Sequence, residues 1–427
     1  MVMAGVVGLA CRSACAAEPP QAMSLSLSEA QDLAVRNHPR ITEAELIALA
    51  SKQAVREARA PYFPVINADA TAAGGLGANT RIAAGGLNNP LILDRDAEGV
   101  SVNQIITDFG RTANLAASSK LTAQARDQEA LATRAEILLE VNSVYFSALR
   151  AQAVLSVANQ TVATRQLTYD QVSQLATNQL RSVLDADFAK VDLEQGKLLL
   201  ADAQGGVATA AARLTAVLGE RQPRKYELVD QPVTNSPVPD NEQLMQTALQ
   251  DRPDLLELRL EKDAADRYAR AQNDLNYPTI SAMGAAGVIP VHDPLLKGNY
   301  AAAGVDLSLP LFDGFLFSAR KKEAELRANA AAERTRDAEN NVIRDVSIAV
   351  TNVALAAERM TATEELLEAA NQAFDLADAR YRAGSSSMVE LSQAQLGKTQ
   401  AQIDAANARY DFLLQNAVLK FQIGVLR

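Results

Sequence analysis

The chain has 427 residues, of which 48% are hydrophobic, 22% are charged and only 4% are aromatic. This balance excludes a disordered chain and a helical membrane protein, and the few aromatic side chains disfavour a large compact core. The net charge of −10 argues against nucleic acid as a partner, since phosphate binding needs clustered lysine and arginine. With two cysteines near the start and two histidines in all, we expect no metal, no cofactor and no enzymatic activity.

Residues 1–17 have the composition of a secretory signal peptide. Met1–Ala10 is apolar, and the small residues that follow provide a cleavage site after Ala17. No basic residue precedes the apolar segment, so we expect the natural start to lie a few residues upstream. Acylation of Cys11, as in a lipoprotein, is the alternative, and it is disfavoured by Gly8, where such signals have a larger aliphatic residue. No later apolar run reaches the roughly 20 residues of a transmembrane helix.

The two halves of the chain carry the same sequence pattern. Ala34–Pro39 resembles Ala248–Pro253, 214 positions later, whereas Asp108 matches Asp313 at an offset of 205. One nine-residue length difference between the halves reconciles the two offsets, as a variable surface loop would. We therefore predict two structural repeats joined by a proline-rich linker: residues 24–221, the linker 222–239, and residues 240–427.

Each repeat is predicted to begin with two short helices and to continue with two strands. The helices span about 28–37 and 40–59, and about 241–251 and 254–275, with Pro39 and Pro253 at helix starts. Alternation with period two predicts the strands that follow. Their apolar faces contain Ile66, Ala68, Ala70 and Ala72, then Val100 and Val102, and in the second repeat Val305, Leu307, Leu309 and Leu311.

The strand pattern leaves two interpretations open. An ordinary hairpin on a soluble domain alternates in this way, and so does a membrane-barrel strand with one lipid-facing side. Between the strands, residues 78–97 and 291–299 are predicted to be surface loops, because the length difference falls there and Gly85–Pro90 is typical of a loop. The second of these loops contains His292.

The rest of each repeat predicts long helices. No proline occurs between Pro90 and Pro223 or after Pro310, and apolar residues recur at steps of four and three, which is typical of a coiled coil. A helix from Arg111 to about Leu175 would be about 100 Å long. Reversals are predicted near Thr177–Ser182 and Gly384–Ser387.

Three heptad seams illustrate this pattern. The long helix of the second repeat has Val342, Val346, Ala349, Val353, Ala356, Met360, Thr363, Leu367, Ala370, Phe374, Ala377 and Tyr381. Its returning helix has Leu396, Thr399, Ile403, Ala406, Tyr410, Leu413 and Ala417, and the returning helix of the first repeat has Ala203, Val207, Ala210, Leu214 and Val217. Four strands in one chain cannot close a barrel, and open strand edges are not tolerated in lipid. Several chains must therefore contribute if the strands cross a membrane.

Over nearly its whole length after residue 24, the chain resembles the TolC-like family of outer-membrane efflux and secretion channels. The resemblance rests on the duplicated plan and on short motifs at repeat spacing. These are Leu27-Ser28-Glu29-Ala30, Asn37-His38-Pro39, Tyr62-Phe63-Pro64, Leu309-Pro310-Leu311-Phe312-Asp313-Gly314 and Tyr381-Arg382-Ala383-Gly384.

The resemblance implies a mainly α fold with β structure, in which a homotrimer forms a twelve-stranded barrel in the outer membrane of a Gram-negative cell. It also implies an α-helical tunnel that extends into the periplasm. A periplasmic adaptor protein, an inner-membrane pump and outer-membrane lipid are the implied partners. Together they would form a tripartite efflux pump or a type I secretion system, and the two interstrand loops would face the cell exterior.

The resemblance also implies a periplasmic gate. Tyr381 matches a tyrosine near the hairpin tip, Asp185 an aspartate that helps to hold the closed state, and Glu390 an acidic residue that rings the constriction. Ser386 stands where some members have a linking arginine, and Gln393 where a second acidic ring can occur. We therefore expect a weaker latch and only modest cation selectivity.

The tip residues Asn178, Gln179, Gly384 and Ser385 are expected to dock the adaptor, with Gln179 in place of a tip glycine. Without the family, Asp185 and Glu390 are ordinary helix-start acids favoured by the helix dipole.

Two other classes of function fit the sequence less well. A periplasmic adaptor-like coiled-coil protein needs only one α-hairpin, whereas this chain predicts two. An enzyme is not supported, because no catalytic constellation is present and His38 beside Pro39 is expected to serve a helix junction. The cargo stays open between drugs and proteins, and the lack of histidine and methionine clusters disfavours dedicated copper or silver export.

Overall fold

The computed structural model describes residues 23–75, 94–222, 224, 226–233 and 240–426, so the predicted signal peptide, with Cys11, lies outside the described residues. The chain divides into two compact units, each assembled from segments that are distant in sequence. One consists of Met1–His38, Ile137–Pro237 and Asn352–Val418, and the other of Pro39–Glu136, Val238–Thr351 and Leu419–Arg427.

A run of two short helices, two strands and two long helices occurs twice along the described chain. In order the elements are β1 (Met23–Leu25), α1 (Leu27–Asn37), α2 (Pro39–Arg59), β2 (Val65–Ala73), β3 (Arg95–Thr107), α3 (Arg111–Thr177), α4 (Val183–Val217), β4 (Tyr226–Leu228), α5 (Asn241–Asp251), α6 (Pro253–Asn273), β5 (Thr279–His292), β6 (Asn299–Ser308), α7 (Leu316–Arg382) and α8 (Met388–Gln422). One short 3₁₀ turn precedes β2 and another precedes β5.

The short helices begin where the sequence predicts. A capping box starts α1: the Ser26 hydroxyl accepts from the Glu29 amide at 3.3 Å, and the Glu29 carboxylate accepts from the Ser26 amide at 2.8 Å. Pro39 and Pro253 open α2 and α6, as predicted, because a first-turn residue needs no amide donor.

The predicted linker contains an element that the sequence analysis missed. Strand β4 lies within residues 222–239 and pairs in parallel with β1, with Ser24 opposite Glu227. The buried Tyr145 hydroxyl lies 2.8 Å from the Leu25 carbonyl and 2.7 Å from the Val229 carbonyl, and burial raises its pKa to about 12. Part of the predicted linker is therefore held in place by its contacts with β1 and Tyr145.

The long helices match the predicted coiled-coil hairpins. Helices α3 and α7 have 67 residues each and α4 and α8 have 35 each, so the longer pair measures about 100 Å. The α7 seam is buried at Val342, Val346, Ala349, Val353, Ala356, Met360, Ala377 and Tyr381. The α8 seam was partly wrong: Leu396 is 56% exposed, whereas Gln395 beside it is buried and donates to the Thr168 hydroxyl.

The four longer strands form one antiparallel sheet in the order β2-β3-β5-β6. Directly opposed residues lie on the same face of the sheet. Ile66 on β2, Val102 on β3 and Gly284 on β5 form one row of opposed residues. The row's face is largely apolar and includes Val305 and Leu307, whereas the other face has Asn67, Asp69, Ser101, Asn103, Asp306 and Ser308. The sheet is therefore two-faced, and β2 and β6 are its edges.

The strand ends correct three expectations. Strand β6 ends at Ser308, so Leu309 and Leu311 are not strand residues, since Pro310 has no amide to continue a ladder. Strand β5 continues to His292, which therefore lies in a strand and not in a loop, and the second loop shrinks to residues 293–298. The first loop prediction falls mostly on residues 76–93, outside the described part, and β3 already begins at Arg95.

Two glycines terminate the returning helices at equivalent places. Gly219 has φ +71°, and a Cβ atom there would lie 2.6 Å from the Asn37 carbonyl oxygen. Gly424 has φ +74°, and a Cβ atom there would lie 3.0 Å from the backbone of Asp251 and Arg252. Each glycine thus permits a close backbone approach between a returning helix and the junction of two short helices.

No helix in the described part of the chain combines the length and the apolar composition of a membrane-spanning helix.

Candidate functional site

The candidate gate lies where the long helices reverse, and both reversals use the same backbone motif. At the end of α3, the Leu180 amide donates to the Leu175 carbonyl at 2.9 Å while Gln179 has φ +59°. At the end of α7, the Ser385 amide donates to the Arg380 carbonyl at 2.9 Å while Gly384 has φ +74°. This pattern is a Schellman cap, whose left-handed position favours glycine, so Gln179 carries backbone strain that Gly384 avoids.

The four residues expected to dock the adaptor lie at these reversals. Asn178, Gln179, Gly384 and Ser385 are all exposed. The Asn178 side chain donates to the Gln174 carbonyl at 2.9 Å, and the Ser385 hydroxyl donates to the Arg380 carbonyl at 3.1 Å. Their side-chain contacts are therefore local, which leaves the tips accessible in a single chain.

Tyr381 lies in a small apolar cluster just inside the tips. It is 6% exposed and belongs to a buried group with Val172, Ala189, Ala377, Met388 and Leu391. Its hydroxyl is buried and makes no hydrogen bond within the described part of the chain. Burial raises the pKa of this hydroxyl, the nearby Arg181 guanidinium opposes the rise, and Asp185 adds to it.

Sequence reasoning missed Arg181, which contacts Tyr381 in two ways. A guanidinium nitrogen donates to the Tyr381 carbonyl at 2.9 Å, and the guanidinium carbon lies 4.7 Å from the centre of the Tyr381 ring. Arg181 comes directly after the first reversal and Tyr381 precedes the second, so the contact joins the two hairpins. No sequence motif identifies this contact, because its members are 200 positions apart.

The other predicted gate residues make no described hydrogen bond to the Tyr381 hydroxyl, although the charge of Asp185 acts on it. Asp185 is a half-buried acid in the first turn of α4, and its backbone amide donates to the Ser182 carbonyl. No hydrogen bond is described between its side chain and Tyr381. Glu390 pairs with Arg380 at 3.0 Å. The Ser386 hydroxyl donates only locally, to the Ser387 carbonyl at 3.4 Å, and Gln393 is exposed on α8.

The charges at the tips are mostly balanced. Besides the pair of Arg380 with Glu390, Arg382 pairs with Asp378 at 2.9 Å. Across the part of the chain that the structure describes, no group of three or more histidines, cysteines and acids could hold a metal ion. The described ion pairs can therefore hold the helix ends together.

A two-faced open sheet and helical hairpins of this length in one chain define the mixed α and β fold of an outer-membrane channel. The chain belongs to the outer membrane efflux protein family, whose model matches residues 31–220 and 244–425. It is an exit channel for efflux, located in the outer membrane and extending into the periplasm. The predicted fold class and the predicted family are both confirmed.

Known proteins of this family are similar along most of their length. Outer membrane protein TolC of Escherichia coli (strain K12) is 25% identical over 431 residues, which cover 94% of this chain and 84% of that protein. The cobalt-zinc-cadmium resistance protein CzcC of Cupriavidus metallidurans is 26% identical and covers 67% of this chain and 68% of its own length.

Solved structures agree on the fold. The outer-membrane channel OprN superposes with a TM-score of 0.82 at 19% identity, covering 93% of this chain and 89% of its own. CusC superposes with a TM-score of 0.81 at 18% identity, covering 96% and 95%.

Proposed function

We propose that three copies of this chain form one passive conduit across the outer membrane, which carries out no covalent chemistry. The observation that carries the proposal is the open four-stranded sheet with one apolar and one polar face. Its edge strands β2 and β6 would leave unpaired amides and carbonyls in lipid, which costs several kcal/mol for each group. Pairing β6 of one copy with β2 of the next removes every edge.

Three copies give twelve strands, enough for a barrel with an aqueous interior. The apolar face that contains Ile66 and Val102 would face lipid, and the polar face that contains Asp69 and Ser101 would line the lumen. The Ser101 hydroxyl already donates to the Asp69 carboxylate at 2.7 Å on that polar face. The loops between paired strands, including residues 293–298, would then face the cell exterior.

We also propose that the channel completes a tripartite efflux pump, with a periplasmic adaptor docking on the tips and an inner-membrane pump choosing the cargo. The exposed residues Asn178, Gln179, Gly384 and Ser385 support the docking surface. Service in a type I secretion system is the second possibility. The names of relatives point to both metal ions and solvents, since CzcC is a cobalt-zinc-cadmium resistance protein and TtgC of Pseudomonas putida belongs to a toluene efflux pump.

The gate would be the constriction formed by the α7 and α8 ends around Tyr381. Hairpin ends can be repacked at low cost because few contacts cross there. The predicted repeats, residues 24–221 and 240–427, would then bring two hairpins per copy to the same ring.

The trimer is tested by native mass spectrometry of the protein extracted from outer membranes in mild detergent. Three chains per particle are expected, together with ion channels when the protein is added to planar bilayers. A stable monomer, or a protein recovered in the soluble periplasmic fraction, would refute the proposal. An epitope inserted after Asn88 should be labelled on intact cells, and labelling only after permeabilisation would reverse the proposed orientation.

A further inference from the structure

A small polar cavity lies between α3, α7 and α8 within the first unit, about three turns of α3 before that helix ends. Its volume is about 50 Å³, which is enough for a small ion or for water. Two cations, several hydroxyl and amide groups and one aromatic ring line it, and none of the described residues around it is acidic. The residues that matter here are Thr161, Arg165, Phe374, Gln395, Lys398 and Thr399.

Arg165 is a buried cation with an unused hydrogen-bond donor at this cavity. It is only 6% exposed, and its stem passes Gly196 on α4, where a Cβ atom would lie 3.3 Å from the Arg165 Cδ. One terminal guanidinium nitrogen donates to the Asp192 carbonyl at 2.7 Å. The buried Nε has no hydrogen-bond partner in the described part of the chain. Because an unpaired buried N–H costs free energy, the cavity favours a group that accepts from it.

The positive charge at the cavity is not matched by an ion pair. The Lys398 ammonium lies 4.4 Å from the centre of the Phe374 ring, and the ion pairs within 4.0 Å of the described chain include neither Lys398 nor Arg165. The Asp192 carboxylate acts on Arg165 from further away and accepts from the Ser392 hydroxyl at 2.6 Å. Burial lowers the pKa of Arg165, and Asp192 opposes this only in part.

The other polar groups decide what the cavity can accept. The Thr399 hydroxyl donates to the Gln395 carbonyl at 3.0 Å, which leaves the Thr161 hydroxyl, 3.4 Å from that of Thr399, able to donate into the cavity. The buried Oε1 of Gln395 has no partner in the described part of the chain. A water could join this oxygen to the Arg165 Nε, but a neutral water leaves both positive charges uncompensated. An anion with a water beside Oε1 satisfies every group.

We propose that this cavity binds a chloride-sized inorganic anion, held by the Arg165 Nε, the Lys398 ammonium and the Thr161 hydroxyl. The anion neutralises a buried cation between α3 and α8 and so stabilises the packing of the two hairpins. All its ligands belong to one chain, so the site goes beyond the proposed conduit and does not depend on it. A polyhydroxy acid anion such as gluconate is too large for a space of about 50 Å³.

Crystals of the detergent-purified protein grown in sodium bromide locate the ion directly. An anomalous bromide peak is expected in the cavity, within about 3.5 Å of the Arg165 Nε. A cavity that holds only water, or a carboxylate from a neighbouring copy of the chain, would overturn the proposal.

Thermal unfolding followed by helical circular dichroism measures what the ion does. Sodium gluconate is replaced by sodium chloride, from about 1 to 100 mM chloride at fixed ionic strength and scan rate. The wild-type midpoint should rise by about 2–4 °C, because a ligand that binds only the folded state stabilises it. Lys398→Met should show at most half of this rise. Arg165→Met should show none and should be at least as stable as the wild type in gluconate, because it removes an uncompensated buried charge.

A matched control removes an arginine elsewhere on the same helix. Arg150 is exposed on α3, so Arg150→Met should keep the full chloride response. If Arg165→Met does not fold, the comparison of Lys398→Met with Arg150→Met still decides the question. An equal rise in the wild type and in both of these variants would assign the effect to chloride in general and refute the site. A bromide peak without a chloride-dependent midpoint would mean binding at crystal concentration only, which also refutes it.

Discussion

The carboxyl group of Glu257 should make the stability of the protein fall as the pH rises. Glu257 lies on α6 with its side chain only 18% exposed. Burial, together with the neighbouring carboxylates Glu129 and Glu261, raises its pKa to about 7 from 4.5, and Arg126, at 3.9 Å, only partly opposes this. The folded protein therefore prefers the protonated form.

The magnitude follows from the difference in pKa between the folded and unfolded chains. A carboxyl with pKa about 7 when folded and 4.5 when unfolded costs the folded state about 3 kcal/mol once it is ionised. Because the folded pKa is raised, the favourable contribution is fully present below pH 4.5. It declines as the pH rises and is lost above about pH 7.

Thermal unfolding in detergent, followed by helical circular dichroism between pH 4.5 and 8.5, measures this effect. Glu257→Gln should match the wild type at the acid end and be more stable above pH 7, since the amide stays neutral. Glu43→Gln, which neutralises an exposed acid on α2, is the control and should follow the wild type throughout. Wild-type stability that does not fall between pH 5 and 8, or equal behaviour of both variants, would refute the reasoning.

Two further predictions concern residues at helix ends. Gly219→Ala should destabilise the protein by at least about 1–2 kcal/mol, because φ is +71° and the new methyl group meets the Asn37 carbonyl. Gly205→Ala, with nothing within 4 Å, should be neutral or slightly stabilising in the same denaturation assay. In the proposed trimer, Arg380→Gln should free the Glu390 carboxylate of each chain and shift the reversal potential towards cations at low salt. Glu390→Gln should shift it the other way, and identical potentials in both variants would mean that this pair does not line the pore.

Local patterns explain why so much of the fold was predictable from the sequence. Helix starts at Pro39 and Pro253 and the seam from Val342 to Ala377 follow from rules that act within a few turns. The strand prediction ran too far at Leu309 and Leu311 because alternation alone ignores the missing amide of Pro310. The α8 seam failed at Leu396 because the buried polar residue next to it finds a partner on α3, which no periodicity reveals.

The site was less predictable than the fold, because its contacts join residues that no local sequence pattern relates. The resemblance pointed to Tyr381, but the contact of Arg181 with it depends on how two hairpins pack and not on any local motif. The pairing of Glu390 with Arg380 was equally hidden, since their separation along the chain crosses a reversal whose geometry had to be known. The roles predicted for the gate and tip residues all stay predictions; these residues are Asp185, Tyr381, Ser386, Glu390, Gln393, Asn178, Gln179, Gly384 and Ser385.

The equal lengths of the two hairpins restrict how the gene can vary. Helices α3 and α7 share one length and α4 and α8 share another, so an insertion in a single helix would displace one tip from its counterpart by about 1.5 Å per residue. A viable change of tunnel length thus requires four coordinated insertions, each a multiple that keeps the apolar seam in phase. Selection should therefore tolerate insertions and deletions between strands and eliminate them within the helices, which makes helix length a slowly changing character among descendants of this sequence.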